Sequence, residues 1–225
     1  MRLRIAVIAG MLSVSGIAHG QTVQDTTSYA WLVNASHIAV DSGEFNPSPE
    51  LRTAQFKRAE QYARRAVAAN PNDAEGHFEL ARSIGKNALT MGTRDKIKFA
   101  EEVREQALEA LKLNPKHAGA LHVMGEWNAE VMRLNGFSRL FAKTFLGGQV
   151  FDEASWDNAQ RYLEDAVAND PNHITHHLDL GAVYSDRGLT VKAIEQYKWI
   201  ANAPATDFND SHYKELAAQR LKDLR

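Results

Sequence analysis

One short pattern occurs three times in this chain and restricts its fold more than any other feature. An Asn-Pro or Asp-Pro pair stands directly ahead of an amphipathic helical segment in NPNDAEGHFELA, NPKHAGALHVMG and DPNHITHHLDLG. Proline cannot donate a backbone hydrogen bond inside a helix, so it separates the end of one helix from the start of the next. Three copies therefore predict an array of helical hairpins.

Small residues fall at fixed distances from the three prolines, Pro71, Pro115 and Pro171. Two helix backbones approach closely only where no large side chain intervenes, so a fixed grid of small residues indicates helices that pack in the same way in every unit. The grid consists of Ala66, Ala110 and Ala166 before the prolines, and of Ala81, Gly125 and Gly181 after them. No alternating strand pattern extends beyond a few residues, and we predict an all-α fold.

The last unit gives the clearest period. Helices are predicted over 174–187 and 191–202, with Gly188 as the stop between them, and Pro171 and Pro204 are 33 residues apart. The segment HLDLGAVYSDRGLTVKAIEQY resembles a tetratricopeptide repeat, whose period is about 34 residues. The matching signature positions are Leu180, Gly181, Tyr184, Gly188, Ala193 and Tyr197. This resemblance implies an α-solenoid.

The other units are longer but follow the same plan. An earlier pair begins with SYAWLVNASHIAV and continues with a helix that Ser48 caps and that has Pro49 in its first turn. That makes four helix pairs over residues 28–206. The polar amphipathic segment DSHYKELAAQRLKDL, within residues 207–225, is predicted to be the capping helix that a stacked array needs at its end.

The long units also resemble a narrower group. The segments GTRDKIKFAEEVREQALEALKLNP, LHVMGEWNAEV and LFAKTFLGGQVFDEASWDNAQRYLEDAVANDP are similar to the regulator of microtubule dynamics family, over about residues 50–222. This resemblance implies a helical domain with unequal repeats. Eukaryotic members of the family are associated with microtubules, organelle contacts and, in some cases, phospholipid binding.

The N-terminus has the pattern of a secretory signal peptide. Arg2 and Arg4 precede the apolar run IAVIAGMLSVSGIA, and small residues follow it, so we expect cleavage after Gly20 and a short linker over 21–27. The apolar run is too short to span a bilayer of about 30 Å hydrocarbon thickness. We therefore expect a bacterial exported relative of the family, located in the periplasm.

Charge and cysteine content exclude several classes of function. The chain has 26 basic and 28 acidic residues, and removal of Arg2 and Arg4 leaves 24 basic residues. A mature chain with this acidic balance lacks the basic surface that a nucleic-acid partner requires. The chain contains no cysteine, which excludes disulfides, thiolate metal sites and a lipid-bearing cysteine.

The resemblance to tetratricopeptide repeats also predicts a binding surface. In such arrays the first helix of each pair lines a concave face, and transferring these positions predicts a groove with a basic end and an acidic end. The lining residues are Glu75, Phe78, Arg82 and Lys86, then His122, Glu126 and Glu130, then Thr175, Leu178, Ala182 and Asp186. Such a groove suits an extended peptide or the head group of an amphiphile, and a solvated helix face is the alternative.

An aromatic segment follows the third unit's first helix. Phe137, Leu140, Phe141 and Phe145 occur at helical spacing, with Arg139 and Lys143 between them. A basic amphipathic helix over 137–146 can lie on an anionic membrane surface, or it can fold over the groove as a lid. It can equally pack against a neighbouring repeat, which is the more common role of such a stripe.

Two histidines allow a metal hypothesis. His173 and His177 are four residues apart and share one face of the predicted helix. A stable zinc site needs three or four ligands, and Asp179 is expected to point elsewhere. We therefore expect exposed imidazoles at a helix start, with no bound metal and no other cofactor.

No motif indicates catalysis. The sequence lacks G-x-S-x-G, H-E-x-x-H and the Gly-rich phosphate loops. Trp127 is expected to pack inside a helix pair. The sequence favours a non-catalytic binding or scaffold module that engages a protein or peptide partner through its concave face. The alternative is a lipid-binding or membrane-contact domain that takes phospholipid, with segment 137–146 as its lid.

Overall fold

The computed structural model describes residues 27–134 and 149–224, and neither range contains a strand. Within these ranges nine long helices follow one another: α1 (Tyr29–Glu44), α2 (Pro49–Ala69), α3 (Ala74–Leu89), α4 (Thr93–Leu113), α5 (Ala118–Arg133), α6 (Trp156–Asn169), α7 (Ile174–Asp186), α8 (Thr190–Asn202) and α9 (Asp210–Asp223). A four-residue helical turn, Gln149–Asp152, precedes α6. The predicted signal peptide over 1–20 and the predicted segment over 137–146 lie outside the described residues.

The helices pack as four hairpins, α1 with α2, α3 with α4, α5 with α6, and α7 with α8. The first helices of these pairs contact one another in the order α1, α3, α5, α7, which places them side by side on one face of the array. Helix α9 packs against α7 and α8 at the end of the array. The predicted all-α solenoid of four pairs with a C-terminal capping helix is confirmed.

The turn before each proline uses the same hydrogen bond in three units. The backbone N–H of Asn70 donates to the carbonyl of Ala66 at 2.9 Å, and Asn114 donates to Ala110 at 2.8 Å. Asp170 repeats the bond to Ala166 at 2.9 Å. Each is an i→i−4 bond from the C-cap residue, and it completes the last turn of its helix. The Asn or Asp before each proline therefore closes one helix as the proline opens the turn.

The grid of small residues marks close helix contacts, as predicted. The three grid alanines before the prolines are fully buried. A Cβ atom on Gly125 would lie 2.5 Å from Cγ of Leu163, and one on Gly181 would lie 2.6 Å from Cε1 of Tyr197. No side chain fits at either distance without moving its neighbour, so glycine sets the spacing of α5 from α6 and of α7 from α8.

The array bends until its two ends touch. The Asn209 side-chain amide at the start of α9 donates to the backbone carbonyl of Asp41 at 2.9 Å, although the two residues are 168 positions apart. The Phe45 ring, just after α1, stacks on His212 at a centroid distance of 4.6 Å and meets Tyr213 edge-on at 5.2 Å. The first and last helices of the described array therefore contact each other across the concave face.

Within the two described ranges, no helix combines the length and apolar character that a bilayer span requires.

The buried apolar side chains lie between the paired helices, and the largest cluster of them joins α6 to α9 through residues such as Leu163, Tyr197 and Tyr213. The core therefore lies behind the concave face and holds the first helices rigidly in place.

Candidate functional site

The concave face encloses a cavity of ≈ 1130 Å³, which we call the concave groove. Most of its lining comes from α1, α3, α5, α7 and α9, and α4 contributes Lys96, Ala100 and Val103. Nine of the eleven residues predicted to line the concave face border it: Glu75, Phe78, Arg82, Lys86, His122, Glu126, Glu130, Thr175 and Leu178. Ala182 and Asp186 are not part of the lining, and the Asp186 carboxylate instead accepts two hydrogen bonds from Arg133. Ligand contact by these residues stays a prediction.

The expected basic end of the groove is neutralised by helix α1. Arg82 forms an ion pair with Asp41, and Lys86 forms one with Glu44. Arg82 also lies 3.4 Å from Oε1 of Glu79. A groove divided into a basic end and an acidic end is therefore the wrong description, because the cations of α3 are already occupied by carboxylates of α1.

A partly buried network of polar and charged side chains connects α1 to α3. Glu79 is fully buried, and Ser36 donates to its Oε2 at 3.2 Å. His37 lies 3.2 Å from Asp41 and 3.0 Å from Glu79, and hydrogen bonds to these two carboxylates raise the pKa of His37 to about 10. A protonated His37 and Arg82 together balance the two acids, so the network fixes α1 against α3.

The acidic side of the groove, on α5 and α7, is not balanced in this way. Arg133 serves two carboxylates, Glu130 at 2.9 Å and Asp186 at 2.7 Å. Oε1 of Glu126 is buried and has no hydrogen-bond partner among the described residues. Burial raises the pKa of Glu126 to about 7, and the negative charge of Asp179 adds to this effect. Near neutral pH, Glu126 is therefore partly protonated.

Asp179 begins a chain of hydrogen bonds through two histidines. Its Oδ2 lies 3.0 Å from Nε2 of His122, and Nδ1 of His122 lies 2.6 Å from Nδ1 of His176. Burial raises the pKa of Asp179, but the hydrogen bond from His122 and nearby positive charges outweigh burial, so its pKa lies below the ordinary value.

The far end of this chain is a neutral imidazole. Burial, followed by the positive charge of His122, lowers the pKa of His176 far below its ordinary value. Nε2 of His176 is buried without a partner in the part of the chain that the structure describes. No hydroxyl group therefore hydrogen-bonds to Nε2 of this imidazole there.

Two aromatic residues near the groove have packing roles. Trp127 is buried, as predicted, and its Nε1 donates to the carbonyl of Ala100 at 2.7 Å. Phe78 borders the groove, but its ring lies 4.8 Å from the His117 ring and covers Gly119, where an added Cβ would meet it at 2.5 Å. Phe78 therefore contributes to the α3–α5 contact whatever the groove holds.

The expectation of exposed imidazoles in the His173 and His177 pair is wrong for His177. This side chain is buried, and its Nδ1 and Nε2 lie 2.7 Å from Gln196 and 3.0 Å from the carbonyl of Pro171. His77 occupies the equivalent place in the second unit, with the same bond to Pro71 at 3.0 Å. The histidine six residues after the proline is thus a structural element of the turn, and both of its ring nitrogens are occupied.

Some groove residues escaped the sequence prediction. His37, Asp41 and Glu44 follow one helical face at spacings of four and three, which is a detectable signal. Asp179 follows Thr175 by one helical turn and borders the groove beside His122. The α9 residues had no local signal, because their position depends on the bend of the whole array.

The contact between the two ends of the array is open to test. Phe45→Ala removes the ring that contacts His212 and Tyr213, so we expect faster backbone amide exchange in the first turns of α9, by about tenfold. Hydrogen–deuterium exchange with mass spectrometry measures this, and Leu51→Ala, at an exposed position of α2, is the control. Unchanged exchange in α9 would show that the end contact contributes no stability.

The fold has a known counterpart. A thermophilic TPR protein of Thermus thermophilus superimposes with a TM-score of 0.52 and 17% identity, over 85% of this chain and 91% of that protein. This likeness concerns the fold.

Sequence relatives agree with the resemblance seen in the long repeats. Regulator of microtubule dynamics protein 1 of Bos taurus is 30% identical over 166 residues, which are 72% of this chain and 51% of the relative. The Homo sapiens protein of the same name is 28% identical over 178 residues, 77% of this chain and 55% of the relative. The chain thus spans about half the length of these relatives. The profile of the regulator of microtubule dynamics protein 1-3 family matches residues 17–225, and the chain belongs to that family.

Proposed function

We propose that this chain is a non-catalytic binding protein whose concave groove holds a segment of a protein partner. The observation that carries the proposal is the ≈ 1130 Å³ groove lined by helices whose positions are fixed from behind by a packed core. Side chains held in place before binding lose little entropy when a ligand arrives, which favours affinity. The relatives are named as regulators, and a regulator acts on a partner.

The composition of the groove also supports a peptide segment as its occupant. Polar and charged groups alternate with exposed apolar side chains such as Leu89, Phe208 and Leu216 along its length. A peptide offers both kinds of contact at short intervals. Export to the periplasm is part of the proposal, and the signal-peptide pattern around Arg2 and Arg4 supports it.

A blocked groove tests the proposal. Gly85 borders the groove, and an added Cβ would meet only Val103, at 4.0 Å, so Gly85→Trp should fill the groove without disturbing the core. Val191→Trp places the same ring at an exposed position on α8, outside the groove. We expect pull-down from a periplasmic fraction to recover a protein partner with the wild type and Val191→Trp, and to lose it with Gly85→Trp.

The same sample provides the contrary outcomes. Native mass spectrometry of the recovered wild type should show a chain that begins at Gln21 and carries no lipid. A co-purified phospholipid that Gly85→Trp displaces would overturn the proposal in favour of a lipid-binding domain. A partner that binds both tryptophan variants equally would place the binding surface elsewhere on the chain.

A further inference from the structure

The charges that border the concave groove are matched on one side and unmatched on the other. On the α1–α3 side, Asp41 and Glu44 pair with Arg82 and Lys86. On the α5–α7 side, Arg133 is shared between Glu130 and Asp186, and His122 pairs with Asp179. Every acid of these two sets has a cationic or hydrogen-bonding partner. Glu126, on α5, has a buried Oε1 without such a partner among the described residues.

Burial makes the unmatched position of Glu126 costly. Its Oε1 is buried and accepts no hydrogen bond from any described residue. A buried acceptor without a donor costs about 1–3 kcal/mol, and more when the group is charged. Asp179 faces Glu126 from α7 and Glu130 lies one turn away on α5, and the positive charges of His122 and Arg133 offset this repulsion only in part. A positive charge placed here would be stabilised strongly.

His122 does not supply the donor that Glu126 lacks. Its Nε2 lies 3.0 Å from Oδ2 of Asp179 and its Nδ1 lies 2.6 Å from Nδ1 of His176, so both ring nitrogens of His122 are occupied. Nε2 of His176, whose side chain borders the same groove and is only 1% exposed, also has no partner among the described residues. A ligand group with N–H donors would supply the hydrogen bond that Oε1 of Glu126 lacks.

We infer that the partner segment presents a lysine or arginine side chain that seats beside Glu126, between α5 and α7. This inference rests on the proposed function, because it names the chemistry of the segment that the groove holds. An ammonium has three N–H donors and a guanidinium has five, so either group can donate to Oε1 of Glu126. An anionic segment would instead face Glu126, Glu130 and Asp179 with like charge.

The groove also suits the rest of a basic side chain and its neighbours. Phe208, 78% exposed, and Leu216 border the groove from the α9 side. Lysine and arginine have apolar stems that pack on such surfaces while the charged group reaches a polar site. The occupant is therefore an extended segment with a basic residue flanked by apolar residues.

Selection of random short peptides displayed on phage tests the inference. Wild type, Glu126→Gln and Glu195→Gln serve as baits, and Glu195 is a matched control because it is exposed on α8, outside the groove. Peptides selected by the wild type should share a lysine or arginine. Glu126→Gln should weaken the best peptide by at least about tenfold, and Glu195→Gln should leave its affinity unchanged.

A double-mutant cycle and proton counting separate a direct contact from an indirect one. Replacing the peptide's lysine by norleucine should weaken binding to the wild type but not weaken binding to Glu126→Gln further. A cation beside Glu126 displaces its proton, because the nearby positive charge lowers the pKa of the carboxyl. Calorimetry near pH 7 in phosphate and Tris buffers should therefore show proton release with the wild type and none with Glu126→Gln.

The failures of the two proposals are distinguishable. If Gly85→Trp binds every peptide that the wild type selects, the proposed function is overturned. The inference about the basic side chain is then overturned as well. The selected peptides can also depend on the groove and yet lack a basic residue. They can likewise bind Glu126→Gln as tightly as they bind the wild type, with the same proton release. In either case the groove binds peptides, but the proposed contact between a basic side chain and Glu126 is wrong.

Discussion

Gly125→Ala should lower the free energy of unfolding by about 2 kcal/mol, although alanine forms helices better than glycine does. The added methyl group would lie 2.5 Å from Cγ of Leu163 and 3.3 Å from the carbonyl oxygen of Ala159. Leu163 is fully buried and has no room to move away. Urea unfolding followed by circular dichroism measures the change, with the m value checked for constancy.

The same substitution at Gly85 is the matched control and should have the opposite sign. Gly85 also lies inside a helix, but an added methyl group there meets only Val103, at 4.0 Å. We expect Gly85→Ala to raise the free energy of unfolding by about 0.5–1 kcal/mol, since helix propensity acts alone. Leu163→Ala by itself should cost about 2–5 kcal/mol, and in that background Gly125→Ala should no longer destabilise the chain. Equal costs for Gly125→Ala in both backgrounds would remove Leu163 as the cause.

Glu126→Gln should stabilise the chain, and the gain should grow with pH. The pKa of Glu126 is about 7 in the folded chain against an ordinary value of 4.5, so the folded state holds this proton more tightly than the unfolded state does. The wild type therefore loses stability as pH rises from about 4.5 through about 7, and the loss is complete above that range. Glutamine has no proton to lose, so its advantage reaches at most about 3 kcal/mol above pH 8.

Urea unfolding at several pH values between about 5 and 8.5 measures this difference, with Glu195→Gln as the control for the loss of an exposed charge. The control should parallel the wild type across the range. A Glu126→Gln variant that parallels the wild type as well would show that the carboxyl ionises freely in the folded chain. Together with peptide selection, this result would distinguish a Glu126 that binds a cationic side chain from a Glu126 that is solvated by water.

The parts of the structure that the sequence predicted are those fixed by short distances along the chain. The turn at Asn70 and Pro71, the buried Ala66 and the glycine at 125 all follow from backbone geometry within two neighbouring helices. The lining of the groove followed as well, because a repeat presents the same helical face in every unit. Nine of the eleven predicted lining residues border the groove for this reason.

The errors concern side-chain partners that the sequence pattern does not identify. Arg82 looked like a free cation because Asp41, its partner, is 41 positions away, and a charge on a helix can pair with any of several neighbours. His177 looked exposed because histidine is polar, but the Trp199 ring stacks on it at 3.6 Å and the turn at Pro171 accepts its hydrogen bond. The Arg82 contact depends on the angle between successive units, and the His177 contacts depend on side-chain directions within one hairpin; spacing along the chain specifies neither.

The touching ends of the array have a consequence for how this protein can change over evolutionary time. An open stack of hairpins gains or loses a unit by duplication or deletion, because each unit contacts only its neighbours. Here the bond from Asn209 to Asp41 requires a fixed number of hairpins between them. An inserted unit would move the two residues apart, and the loss of a unit would make the two ends clash. Diversity among proteins built in this way is therefore expected in the side chains of the groove and in loop length, while the count of hairpins stays constant.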